Sequence, residues 1–482
     1  MLLVFPDCLV TERGKRTKRA AAVALLAFVT FFATAALTGL LAQEAPSSEP
    51  GAAQERTENF GQLFDAVVDR VGKSFWDKER LASIGWERRA ADVRQSVVEA
   101  PSREEAARRI NALLGELKTS HTGLLTPDDV EYYILLDVFS RSRGVKKQLI
   151  GERFRTGVRY AGIGIFSVRI DGRDYVDAVL EGYPAERAGI KAGDEIVNVD
   201  GGPFHPIRTF RGRIGQEANV TIQRTRDGPT ETVGADIVRI APLRAFNEAT
   251  LTSARVIERE GRRIGYVHVW ASYGDQSLEA LKDALAKLNI KGGVAAASTE
   301  GGREEPKGTA GAPPLDALVI DMRGKIGGTG GNAGRYLDLI DPRGPRIRSR
   351  NKREGAQASV SLRRRTALLI DRHTRSTAEL FVHAYKRERQ GPLIGSRTAG
   401  AVSAAAAFAM PGGNLLYLAV TGLEVDGEVV EGPGVSPDVE VERPIPYANG
   451  TDPVLEAAID YFVRGPGQAG RAAEPAARTN SP

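Results

Sequence analysis

From Phe60 onward the spacing of apolar positions changes period several times, and each change marks an expected element. Leu63, Phe64, Val67, Val68, Val71 and Phe75 recur at the spacing of one helix face. A second such pattern runs over 86–98, and Ser102-Arg103-Glu104-Glu105 opens a third that continues to Leu117. Short alternating runs between 155 and 241 predict the half-buried strands of a β-domain. Beyond it, 263–270 predicts a strand, 275–288 an amphipathic helix, 315–320 a buried strand and 333–340 a helix. The run 366–370 predicts another buried strand and 380–387 a helix, followed by a β-rich stretch over 406–430 and a last helix over 453–463. Strands separated by helices imply a parallel sheet. The expected fold is therefore α/β and multidomain: a helical N-terminal part (58–150), the β-domain (155–241) and an α/β core (250–463).

Composition changes this picture mainly at the ends. Residues 20–42 are almost entirely apolar and follow the basic cluster Lys15, Arg16, Lys18 and Arg19, which reads as a signal peptide or an uncleaved signal anchor. Leu40 makes a poor cleavage site before Gln43, which favours an anchor with residues 1–19 cytoplasmic. The body is then exported, facing the periplasm or another extracytoplasmic space, and secreted if the segment is cut. Residues 43–57 have linker composition, 291–314 reads as a low-complexity insertion, and 464–482 as a disordered tail. The net charge of +5 is partly this N-terminal cluster, and no basic stripe interleaved with aromatics is present, so nucleic acid is not an expected partner. The single cysteine, Cys8, precedes the apolar run, which excludes disulfides, a cysteine nucleophile and a thiolate metal site from the exported body. No metal or organic cofactor is expected.

Three loops could carry chemistry. Ser376 stands between the strand 366–370 and a helix, where unpaired backbone N–H groups and the helix dipole could hold an oxyanion. Ser376-x-x-Glu379 equally fits a capping box, and the local pattern leaves both readings open. The glycine-rich turn 321–332 lacks the Gly-Lys-Ser/Thr ending of a phosphate loop but could donate backbone N–H groups to an oxyanion. Ser120 and His121 sit in a tight connection past a helix end. In the β-domain, residues 183–201 closely resemble the PDZ signature. That resemblance implies a module that adds an extended peptide at a sheet edge and holds its C-terminal carboxylate on backbone N–H groups, with Gly162, Ile163, Gly164 and Ile165 at the carboxylate-binding position.

In this order the pieces are similar to the C-terminal processing proteases and their tricorn-like relatives. The resemblance runs from Phe60 to Val463. It is carried by the PDZ signature, Asp-x-Arg-x-x-x-Gly-Gly at 321–328, Thr-x-Ser-x-x-Glu at 374–379 and Gly-Pro-Gly-Val-Ser-Pro-Asp at 432–438. It implies Ser376 as nucleophile, with the Thr377 N–H and the Gly327 and Gly328 loop as oxyanion donors. The processing proteases take the serine proton with a lysine in a Gly-Lys pair, and here the aligned pair is Gly400-Ala401. Tricorn-like members use a Ser-His pair and a glutamate instead, which maps onto Ser120, His121 and Glu431. Histidine also suits the task chemically, because imidazole supplies a base near neutral pH. Of the five histidines, His205 falls in the β-domain, His268 in a core strand and His383 about two helical turns from the serine, which leaves His121 with His373 as runner-up. Lys325 is the rival base if desolvation lowers its pKa. The expected function is a cell-envelope serine endopeptidase acting on polypeptides presented through C-terminal or unfolded segments, with membrane attachment through the N-terminal segment. The alternative is an inactive relative serving as a PDZ scaffold. A histidine base predicts that activity falls as pH drops through roughly 6 to 7.

Overall fold

The computed structural model describes residues 59–151, 154–288, 315–328, 331–340, 365–423 and 430–466. The terminus 1–19, the apolar run 20–42, the linker 43–57, the insertion 291–314 and the tail beyond 466 lie outside the described residues. Among the described residues no helix is long and apolar enough to cross a membrane.

A six-stranded sheet forms the core, in the order Val439–Glu440, Leu393–Gly395, Thr366–Ile370, Ala317–Asp321, Arg262–His268, Arg255–Arg259. The first five strands are parallel and the last pairs antiparallel at the edge. Every residue of Ala317–Asp321 and Thr366–Ile370 is buried, as a strand covered on both faces must be. Alternation divides them between two layers. Leu318, Ile320, Leu368 and Ile370 face the helices Gly274–Lys287, Gly331–Ile340 and Thr377–Arg387. Ala317, Val319, Ala367 and Leu369 face the helix Pro453–Arg464 through Val454, Ala457, Ala458 and Ile459. Asp452 caps that last helix, its Oδ1 accepting from Leu455 N at 3.1 Å.

The three expected N-terminal helices form as Phe60–Ser74, Trp86–Val98 and Arg103–Gly115, with Asn59 and Ser102 as side-chain caps of the first and third. They do not close a core of their own. Leu63, Phe64, Val67 and Leu113 pack against Met410, Leu416 and Leu418 of the antiparallel hairpin Ala404–Met410 and Asn414–Thr421. Strand Gly123–Leu125 joins that hairpin, with Gly123 opposite Tyr417. The helix Val130–Val138 escaped sequence analysis because it has no polar face to reveal a period: Val130, Tyr132, Tyr133, Ile134 and Leu136 are all buried.

The β-domain is a five-stranded antiparallel meander, Ile165–Ile170, Arg173–Val179, Glu195–Val199, Glu217–Gln223 and Thr230–Asp236, plus the pair Tyr160–Gly162 and Val238–Ile240. Ile165–Ile170 is an edge strand. Two backbone hydrogen bonds fasten the domain to the core segment before the last helix, from Tyr447 N to Gly193 O (2.8 Å) and from Gly450 N to Ala192 O (2.9 Å).

One buried ionic cluster ties the end of strand Ala317–Asp321 to that helix. Arg323, 8% exposed, donates to Asp321 Oδ1 and Oδ2 at 2.9 and 2.6 Å and to Asp452 Oδ1 and Oδ2 at 3.0 and 2.6 Å. Burial raises the carboxyls of both acids, but Arg323 outweighs it and holds them below the ordinary range. Losing Asp321 leaves Arg323 with Asp452 alone and the buried Tyr266 hydroxyl without its acceptor. Asp321→Ala should therefore destabilise the chain by about 2–3 kcal/mol, seen as a clear drop in the thermal unfolding midpoint. Because both carboxyls are depressed, this stabilisation is present above the ordinary carboxylate pKa of about 4 and should be lost as pH falls below it. An unchanged midpoint in Asp321→Ala would show the cluster to be dispensable.

Candidate active site

In open parallel sheets the crevice lies beyond the carboxyl ends of the strands. Here the loops 371–376 and 322–328 leave the adjacent strands Thr366–Ile370 and Ala317–Asp321 at that end. Ser376 is the residue before helix Thr377–Arg387, and its backbone sits at φ 57°, ψ −130°. Positive φ is strained for a serine, on the order of 1–3 kcal/mol. Its neighbours hold it there: Ser376 N donates to Ala401 O (2.7 Å), and Ser376 O accepts from Glu379 N (2.9 Å) and Leu380 N (3.0 Å). The capping box does not form. The Ser376 hydroxyl makes no cap bond, and Glu379 turns away to accept from Gly400 N (2.7 Å), Ala401 N (2.8 Å) and the Thr398 hydroxyl. The glutamate thus fixes the loop behind the serine and leaves Oγ without a partner among the described residues.

Ser120, His121 and Glu431 come together. His121 also has positive φ, 53°, which turns the chain from the third helix into strand Gly123–Leu125. Its Nδ1 is 3.0 Å from Ser120 Oγ, which lies 3.1 Å from Glu431 Oε2. Glu431 further accepts from the backbone N–H of Ser120 (2.8 Å), Val402 (2.9 Å) and Ser403 (2.8 Å). Burial pushes the Glu431 carboxyl up, but these bonds prevail and hold it below its usual range, so it is ionised. The imidazole packs edge-on against Tyr417, ring centres 5.3 Å apart. Burial first, then the charge of Arg375, pushes His121 down to about 4 against the pull of Glu431. With Nδ1 engaged, Nε2 is the nitrogen left for chemistry, and His121 and Ser376 line the same cavity of about 1160 Å³.

The glycine loop presses on the serine. A Cβ at Gly327 would lie 2.4 Å from Ser376 Cβ and 2.8 Å from Thr377 N. Gly328 is fixed opposite Ser272 by the short strand pair Ala271–Ser272 and Ile326–Gly328, where a Cβ would overlap Ser272 O. Both rival bases are committed elsewhere. Lys325 Nζ donates to Asp177 Oδ2 at 2.5 Å, and His373 Nε2 stands 3.2 Å from the same oxygen. His268 is buried against Glu181 (Nδ1 to Oε1, 3.0 Å), outside this cavity lining.

Asp177, from strand Arg173–Val179 of the β-domain, is 3% exposed and meets three cationic side chains, Lys325, Arg443 (3.1 Å) and Arg372 (3.4 Å), together with the His373 ring, whose protonation burial disfavours. Sequence analysis missed it, because an acid in an alternating strand reads as surface. The edge strand Ile165–Ile170 lends Phe166, Ser167 and Val168 to the cavity wall, and Leu125, Ile134 and Val138 supply apolar surface. At the sheet edge, Gly164 has φ 91° and approaches Tyr183 so closely that a Cβ would meet its Cβ at 2.5 Å; Gly162 ends strand Tyr160–Gly162, Ile165 begins the edge strand, and Ile163 O accepts from Ala185 N (2.9 Å). These four residues are absent from the lining of the serine cavity.

Comparison with known proteins matches residues 305–441 to peptidase family S41 and 175–224 to the PDZ domain. Carboxy-terminal processing protease CtpA of Bacillus subtilis is 24% identical over 306 residues, covering 60% of this chain and 58% of the relative. A tricorn protease homologue of Streptomyces coelicolor is 24% identical over 423 residues, covering 83% of this chain and 32% of the relative. The chain thus spans less than two thirds of the length of both. Among solved structures, photosystem II D1 C-terminal processing protease superposes with a TM-score of 0.42 at 20% identity, over 82% of this chain and 98% of that one. The chain carries a peptidase family S41 core and a PDZ domain, the combination that its sequence resembles.

Two predictions follow from the geometry. Gly327→Ala should displace the serine or the adjacent N–H groups and lower kcat on a cleaved peptide by about 100-fold; a near-normal kcat would mean that the loop can yield. The acid limb of kcat/KM should lie near pH 4 rather than at the 6 to 7 of an ordinary imidazole, because burial and Arg375 disfavour the charged ring. The same depression means that folding stability contributed by His121 is lost as pH falls from about 6.5 through the folded value. A limb at 6 to 7 in the free enzyme would contradict the buried, neutral His121.

Proposed function

We propose that this chain is a serine endopeptidase of the cell envelope that cleaves polypeptides by acyl-enzyme chemistry. The observation that carries it is the Glu431–Ser120–His121 chain of hydrogen bonds, which opens onto the cavity of a strained Ser376 whose Oγ has no partner among the described residues. In this mechanism His121 Nε2 takes the proton as Ser376 Oγ attacks the scissile carbonyl. Ser120 relays the negative charge of Glu431 to the far side of the imidazole, which stabilises the imidazolium that forms. The Thr377 N–H, at the first position of the helix, and the backbone of Gly327 and Gly328 face the developing oxyanion. His121 then protonates the leaving amine, and water, deprotonated by the same nitrogen, releases the acyl group.

The PDZ domain delivers the substrate. A C-terminal or unfolded segment adds to the edge strand Ile165–Ile170, with its carboxylate at Gly162–Ile163–Gly164–Ile165, and the same strand forms one wall of the serine cavity. The apolar run 20–42 anchors the body to a membrane on its outer side, or is cut to release it.

Purified wild type should digest an unfolded protein, whereas Ser376→Ala and His121→Ala should lose the activity by at least about 1000-fold. Equal inactivity of wild type and Ser376→Ala would replace the enzyme with a PDZ scaffold. Delivery is tested by a charge in the edge strand, because deleting the domain would also remove Asp177 and the core residues Phe166 and Leu180. Val168→Asp should slow cleavage of a long unfolded protein more than cleavage of a short peptide, and equal losses would count against delivery.

A further inference from the structure

Among the cations that line the serine cavity, one is uncommitted. Lys325 and Arg372 are both paired with Asp177. Arg375, the residue immediately before Ser376, is exposed at the cavity wall and has no ion-pair partner among the described residues. The acids of the wall are in turn engaged elsewhere. Asp177 holds Lys325, Arg372, Arg443 and the His373 ring, Asp128 pairs with Arg211 (2.5 Å) and Arg208 (3.3 Å), and Asp129 Oδ2 accepts from Thr126 N (2.7 Å) and its hydroxyl (2.8 Å). The remaining acid of the lining, Glu131, is exposed on helix Val130–Val138 and is not among the charges that act on His121.

Arg375 is close enough to the reacting groups to matter. Its charge reaches both His121 and Tyr417, two rings packed edge-on in the lining of the same cavity, and works against protonation of His121. A guanidinium offers planar, multiple donors that suit a carboxylate better than any neutral group.

We infer that Arg375 is a subsite for a substrate carboxylate next to the scissile bond, supplied by an acidic side chain or by the free C-terminus of the peptide. The inference rests on the proposed peptidase reading of the cavity and adds a specificity to it. When such a group binds, the charge of Arg375 is neutralised and its opposition to an imidazolium at His121 falls. Acidic substrates therefore engage the arginine and at the same time favour the proton transfer.

The test uses the full chain. Cleavage sites in an unfolded protein are mapped first, and peptides spanning one site are made with Glu or Gln at each of the two positions on either side of the bond, each with a free or an amidated C-terminus. Wild type should prefer Glu over Gln at one position, or the free over the amidated terminus, by about 10- to 100-fold in kcat/KM. The two arms tell the two sources apart. In Arg375→Gln that ratio should fall to near one whatever the absolute rate, in Arg375→Lys part of it should survive, and Arg375→Glu should favour Lys at the same position. The acid limb of kcat/KM on a neutral peptide should also move to higher pH in Arg375→Gln, a change that a purely structural role would not produce. The same peptides bound to Ser376→Ala give the preference without turnover, so an inactive chain still decides the question. No preference in wild type in either arm, or one that persists in Arg375→Gln, would overturn the subsite and leave the peptidase reading standing.

Discussion

The site depends on one carboxylate. Glu431 accepts four hydrogen bonds, two from Ser120 and one each from the backbone of Val402 and Ser403, and so joins three segments that are remote in sequence. Each bond is charge-assisted and partly shielded from water, the condition in which such bonds are strongest. This anchor adds to the pairing of Gly123 with Tyr417 in holding the Ser120–His121 turn, with its left-handed histidine, against the hairpin. Glu379 has the corresponding task for the serine. It fixes Gly400 and Ala401 through their N–H groups, and Ala401 in turn receives the N–H of Ser376. Two glutamates, Glu379 buried and Glu431 half-buried, thus fix the Ser376 loop and the His121 turn separately, each by gathering backbone donors.

Asp177 plays a different part. It belongs to the PDZ domain, yet its partners are the glycine loop through Lys325, the serine loop through Arg372 and His373, and the segment after the edge strand Val439–Glu440 through Arg443. Burial alone would raise its carboxyl, but His373 and Lys325 lead the group that holds it well below the carboxylate range. The PDZ domain is therefore part of the wall of the cavity and of its electrostatics.

Much of this was legible in the sequence, for identifiable reasons. Strand Thr366–Ile370 and the helices after it show themselves because uninterrupted apolar runs and 3.6-residue periods record burial directly. Motif and order, rather than any local property, single out Ser376, Ser120, His121 and Glu431 in the sequence. The capping box at 376–379 was a sound local inference overruled from outside, since Glu379 had better donors in Thr398, Gly400 and Ala401. Helix Val130–Val138 was hidden by being apolar nearly all round. Asp177 and Arg375 left no trace, because whether a charge is paired is a property of space, and an isolated Asp or Arg in a sequence looks the same either way.

The residues joined at the site are widely spread along the chain. Ser120 and Glu431 are 311 residues apart, and the His121 turn follows helices whose core is completed by the hairpin Ala404–Met410 and Asn414–Thr421. During synthesis the turn that holds His121 appears early, but Glu431 and the hairpin that completes the packing arrive late. A chain that stops before this point lacks the carboxylate that fixes Ser120 beside His121. The Ser120–His121 pair is thus set only when this late segment has folded onto the early helices.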